Sequence, residues 1–290
     1  MQRGAQKILI TSQKGGVGKS TLSANLAAYF RQVLGRRTGL VDLDRQATSS
    51  KWFRGAEEAC VADALYELEL GASQGINALN ASRLVRKAAE VNDLVVTDLT
   101  WNDLLPKEFF YDFHLLIVPC SLSSIEVDST MDFLERFAHV LKSKTRTPPK
   151  LVIAPSRIHK IDAYELMLSR VFNIEFFLAP PVNYSSDAQE YFGNTFIFNS
   201  TDTDTRQNFL DFAQAIGDLL SRIPLQPAIP QRLLSSIQHR DAGTVLDRFM
   251  LQRLANRRTD KKDLSGDAEK VSDDRLPPSL SQFVSSRVRT

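Results

Sequence analysis

"SQKGGVGKSTLS" (residues 12–23) decides the fold of this 290-residue chain, and it carries two lysines where a phosphate-binding loop needs one. The familiar pattern G-x-x-x-x-G-K-[ST] uses the second, Lys19, and asks for glycine where this chain has Gln13. Upstream, Lys7-Ile8-Leu9-Ile10-Thr11 is short, apolar and β-branched, as a buried strand is. Downstream, Thr21 to Leu34 places Leu22, Leu26, Phe30 and Leu34 on one helical face. The glycines fall between strand and helix, where a tight turn gathers backbone N–H groups at the positive end of the helix. In that setting Lys19 is expected to reach the β- and γ-phosphates of a nucleotide, and the Ser20 hydroxyl to ligate Mg²⁺.

"KGGVGKST" (14–21) resembles the deviant phosphate-binding motif KGGxGK[ST] of ParA/MinD-type ATPases. The resemblance implies that Lys14, Gly15, Gly16, Val17, Gly18, Lys19, Ser20 and Thr21 hold ATP. It also gives the extra lysine a role: Lys14 crosses to the phosphates of a partner subunit in a nucleotide-sandwich homodimer. A lysine supplied in trans makes charge stabilisation of phosphoryl transfer conditional on dimerisation. "TGLVDLDRQATSS" (38–50) resembles the family's DxDPQ switch motif. By that match Asp42 lies near Mg²⁺ and Asp44 orients the attacking water, while Arg45 replaces the usual proline and leaves loop rigidity in question. "DLVVTDLTW" (93–101) reads as a buried strand with Asp98 near its carboxyl end, where open α/β sheets bind ligands. Asp98 is the third expected metal group, after Ser20 and Asp42. The family continues Asp-x-Pro; here Leu99-Thr100 follow.

The rest of the chain alternates strand and helix, which implies an α/β fold: a mostly parallel, doubly wound sheet with helices on both faces. "FHLLIVP" (113–119) reads as another central strand, "PKLVIAP" (149–155) as the next strand, and "NIEFFLAP" (173–180) as the last buried one. A helix capped at Ser123-Ser124 is expected to run to about Lys142. "DTRQNFLDFAQAIGDLLSRI" (204–223) puts Phe209, Phe212, Ala213, Ile216, Leu219 and Leu220 on one face and reads as the closing helix. These elements make a 1–224 ATPase domain. "QPAIPQ" (226–231) reads as a linker. Two short amphipathic helices are expected within 225–262, and a disordered polar tail over 263–290. Residues 225–290 carry twelve Lys and Arg against eight acids. That excess makes the extension a candidate DNA contact, whose binding would be steeply salt-dependent.

Composition excludes several classes. With 43% hydrophobic residues there is material for a core, yet no run approaches the length of a membrane-spanning helix. The N-terminus has no signal-peptide pattern, which suits a cytoplasmic chain. The two cysteines, Cys60 and Cys120, form no C-x-x-C pair, which argues against an iron–sulfur reductase. The four histidines show no metal-ligand spacing. "LSQFVSSRVRT" (280–290) lacks the large apolar anchors of a membrane-surface helix, so no membrane partner is expected. "HKID" (159–162) is one residue from the guanine-reading N-K-x-D, but His159 cannot reproduce the asparagine amide, so ATP is expected. The family's asparagine near the adenine is not visible in "APSR" (154–157).

The net charge of +2 is too small to imply nucleic acid by itself. Local clusters exist at Lys142, Lys144, Arg146 and Lys150, and at Arg157, His159 and Lys160. "PPVNYSSDAQ" (180–189) lacks the basic residues that DNA-binding relatives carry after the last strand. The reading that follows is an ATP-hydrolysing, dimerising switch that positions DNA or another large cytoplasmic cargo. It would work with nonspecific DNA and with an adaptor protein that stimulates hydrolysis. The alternative is an ATP-dependent small-molecule enzyme or assembly factor on the same fold.

Overall fold

Apolar runs too short for helices but rich in β-branched residues form strands, and the helical stretches between them return the chain so that successive strands run parallel. In a computed structural model, the described residues are 4–56, 63–65, 73–121, 123–158, 174–185 and 190–224. The chain divides into two units, Met1–Ala228 and Ile229–Thr290, and the described residues all belong to the first. The expected helices within 225–262, the 263–290 tail and the "HKID" stretch lie outside the described residues.

In chain order the elements are β1 (Gln6–Ser12), α1 (Lys19–Gln32), β2 (Thr38–Asp42), α2 (Thr48–Gly55) and β3 (Asp63–Leu65). Then come α3 (Gln74–Val91), β4 (Leu94–Thr100), a 3-10 turn (Lys107–Asp112), β5 (Leu115–Cys120), α4 (Ser124–Glu135) and α5 (Ala138–Leu141). β6 (Lys150–Ile158), β7 (Phe177–Leu178), β8 (Val182–Asn183) and α6 (Thr203–Ser221) complete the described structure. The strand order is β3-β2-β4-β1-β5-β6-β7, with β8 also paired to β6, and every described pair is parallel. β1 lies between β4 and β5, so the chain winds outward from it in both directions. Such a reversal opens a crevice at the strand's carboxyl end, which is where the phosphate loop begins.

Strand alternation divides the core into two layers. Ile8, Ile10, Leu94, Val96, Leu115 and Ile117 pack on one face with Phe30 of α1 and Phe209 and Phe212 of α6. Leu9, Val95, Leu116 and Val118 pack on the other with Val85 of α3 and Phe133 of α4. Both faces are covered, as a parallel sheet requires.

Three expectations need correction. The first helix stops at Gln32, and Leu34 lies past it, 47% exposed. The helix capped by Ser123 ends at Glu135, not near Lys142. Phe137 is turned into the core there, stacked on Phe110 at 4.5 Å and edge-on to Trp101 at 4.8 Å, and α5 restarts beyond it. Packing of one aromatic has overridden helical continuity. The last buried strand is instead a two-residue edge, β7, with Phe177 46% exposed. An apolar run cannot tell edge from centre, because that depends on whether a further strand covers it.

Candidate functional site

The loop between β1 and α1 is shaped by its glycines. Gly16 (φ 75) and Gly18 (φ 91) both take the left-handed conformation, which is strained for any residue with a Cβ. Lys19, the first residue of α1, is only 5% exposed, and its Nζ donates to Lys14 O at 2.6 Å. Burial pulls the Lys19 ammonium below the usual lysine value, and the charges of Asp98 and Asp44 oppose that fall. Ser20 and Thr21 follow in the first turn of α1, half-buried. Lys14 brings its carbonyl to this arrangement, which accepts from Ser12 Oγ at 2.9 Å as well.

Beside the loop, β2 and β4 end in carboxylates. Asp42 and Asp98 are paired in register across the two strands, and both are fully buried. They are not equivalent. Asp42 accepts from Ser49 Oγ (2.8 Å), from the Ser50 amide (3.0 Å) and from the Asp44 amide (3.0 Å). Neither oxygen of Asp98 has a well-formed hydrogen bond. Burial, then the neighbouring Asp42, pushes Asp98 up to about 7, while the nearby Ser20 and Ser49 hydroxyls and the Lys19 ammonium pull it down. Two carboxylates and a serine hydroxyl at a helix start are hard oxygen donors, and orphaned buried oxygens suit a divalent cation. The residues present fit Mg²⁺.

Asp44 is half-buried and accepts a short hydrogen bond from the Thr100 hydroxyl at the end of β4. Its Oδ1 also accepts from the Gln46 amide at 3.1 Å, and its carbonyl from the Ala47 amide at 2.9 Å. With the Asp42–Asp44 amide bond, these form consecutive side-chain turns. They stiffen the loop around Arg45 in the absence of a proline. Thr100, which departs from the family's Asp-x-Pro, thus has a specific contact with the residue expected to orient water.

Sequence reasoning missed one side of the site. Ser156, 1% exposed, donates to Val17 O at 2.6 Å, and Arg157 makes a short hydrogen bond to Gly16 O. In the sequence Arg157 stood out only as one member of a local basic cluster; its guanidinium is engaged with the loop. The only hint in sequence was that both residues follow directly on the strand expected over 149–155, which in the structure runs on to Ile158.

The model of the CobQ/CobB/MinD/ParA nucleotide binding domain matches residues 8–154, half of the chain. The chromosome-partitioning ATPase Soj of Thermus thermophilus is 51% identical over 45 residues, covering 16% of this chain and 18% of that protein. The chain spans less than a third of the length of the curated relatives it matches. Among solved structures, apo McdA of Cyanothece superposes with a TM-score of 0.59 at 16% identity, covering 73% of this chain and 100% of that one. Cobyrinic acid a,c-diamide synthase from Mycobacterium smegmatis, with an ATP analogue and magnesium, gives 0.57 at 19% identity, covering 78% and 99%. At these identities the structures establish likeness of fold.

Proposed function

This chain belongs to the CobQ/CobB/MinD/ParA nucleotide-binding family, and on that premise we propose that it is an ATP-hydrolysing switch that positions DNA or another large cargo. The observation that carries the reading is the buried Lys19 of the phosphate loop, which feels the charges of Asp98 and Asp44, with Asp42 paired in register beside Asp98. Lys19 and the loop amides bind the phosphate chain of ATP, and Ser20, Asp42 and Asp98 hold Mg²⁺. The cation neutralises charge that builds on the phosphoryl oxygens during transfer. Asp44, fixed by Thr100 and the Gln46 amide, orients the attacking water. Lys14 completes the charge around the transferred group from a second copy, so that hydrolysis waits on homodimer formation.

Partition-type work needs slow basal turnover and a stimulating adaptor, and DNA supplies the track. No described helix is long and apolar enough to cross a membrane. A second reading, an enzyme acting on a small acceptor, is favoured by the fold shared with the diamide synthase. Steady-state ATPase measurements separate the two. Turnover raised by duplex DNA together with a protein partner supports the switch, whereas turnover that requires a small acceptor and ignores DNA overturns it.

A further inference from the structure

Three carbonyl oxygens of the phosphate loop are each held by a side chain. Lys14 O accepts from Lys19 and Ser12, within the same local segment. Gly16 O and Val17 O accept from Arg157 and Ser156, which lie 141 and 139 positions further along the chain. A trans peptide is planar, with its C=O and N–H pointing in opposite directions. Drawing Gly16 O and Val17 O towards the end of β6 therefore turns the amides of Val17 and Gly18 the other way. Those two N–H groups belong to the turn that should cradle phosphate, and a cradle works only when its amides converge.

The end of β6 bears the marks of this task. Ser156 is buried and sits against the loop so closely that a Cβ added to Gly18 would lie 3.7 Å from its Oγ. Arg157 takes φ 58, a left-handed conformation that side-chain-bearing residues rarely adopt and that persists where surroundings enforce it. Its guanidinium also lies over the ring of Tyr184, the residue just after β8, 5.6 Å from the centroid, so it is braced there as it reaches Gly16.

We propose that Ser156 and Arg157 are positioning residues of the nucleotide site, which aim two peptide groups of the phosphate loop and thereby set its affinity for the phosphate chain. The inference rests on the nucleotide reading above and adds to it the residues that orient the cradle from outside the motif.

Calorimetric titration of the full chain with ADP and Mg²⁺ tests it. Arg157→Gly keeps the left-handed backbone accessible and removes the whole side chain with its guanidinium, and Ser156→Ala removes only the hydroxyl. Each should weaken ADP binding about tenfold, the loss of one well-aimed hydrogen-bonded group. The melting temperature without nucleotide should stay level. Ser156→Thr and Arg157→Lys retain a donor and should recover part of the affinity. Variants that bind ADP within about twofold of the natural chain would overturn the proposal, as would losses that track a lower melting temperature. If the natural chain itself binds no ADP, the nucleotide reading falls and takes this one with it.

Discussion

The two flanks of the phosphate loop are built from opposite chemistry. On the β6 flank stand donors, Ser156 and Arg157, each matched to a loop carbonyl. On the β2–β4 flank stand acids, and there the matching stops halfway: Asp42 has three donors and Asp98 has none of good geometry. The β6 flank is complete within the chain and reads as scaffold. The carboxylate flank is short of positive charge, and a buried acid without a partner costs stability unless a function needs it. On the proposed reading, one side of the loop sets shape and the other takes the ligand.

The sharpest break in that contrast comes from Lys19, which faces the acids from the loop. Lys19→Ala should abolish measurable nucleotide binding, because it removes the buried cation that feels Asp98 and Asp44 and would face the β- and γ-phosphates. Fluorescent-nucleotide titration checks it. Lys14→Ala should leave monomer affinity near that of the natural chain yet lower turnover about a thousandfold, as loss of a charge supplied in trans does. Equal loss of affinity in both lysine variants would remove the trans role. Asp44→Ala should reduce turnover about a hundredfold and accumulate as an ATP-bound dimer. Size-exclusion chromatography with ATP would reveal it, and a protein that stays monomeric sinks the assignment.

The acid flank also predicts a pH dependence. Asp98 titrates near 7 in the folded protein, against about 3.9 for an aspartate in an unfolded chain. Between these values the folded protein keeps a proton that the unfolded chain has lost. Its stability therefore falls as pH rises from about 4 to about 7, and the cost is complete above that. Asp98→Asn removes the cost, so it should raise the melting temperature at pH 8, by the equivalent of about 4 kcal/mol, and hardly change it at pH 4. The same change should abolish the dependence of nucleotide binding on Mg²⁺. Equal stabilisation at both pH values would mean that Asp98 is not the strained acid. The smallest expected effect is that of Thr100→Val, which deletes the hydroxyl on Asp44: kcat should fall about fivefold with KM unchanged. A change in KM alone would assign Thr100 to nucleotide binding instead.

Much of this site was legible before any coordinates. The loop could be read because glycine, lysine and serine at fixed spacing act through their own backbone and nearest neighbours. Strands β1, β2, β4, β5 and β6 declared themselves as apolar runs, and Ser123 as a cap was visible because capping spans three residues. The short strand β3 and the brief β7–β8 edge were harder, since a two- or three-residue strand has no periodicity to detect. The contact of Arg157 with Gly16 was not legible for a related reason: a basic residue in a string gives no sign of what its guanidinium will meet.

By itself, then, the sequence determined the phosphate loop, the parallel sheet and the acids at its strand ends, since each depends on residues close together in the chain or on a repeating pattern. Tertiary structure alone decided the rest. It set Asp98 beside Asp42 without a well-formed hydrogen bond, gave Thr100 to Asp44, turned Phe137 into the core to end α4, and brought Ser156 and Arg157 back onto Val17 and Gly16. Those contacts join residues 27 to 141 positions apart, from Phe137–Phe110 to Arg157–Gly16, and only the folding of the chain supplies the proximity that makes them favourable.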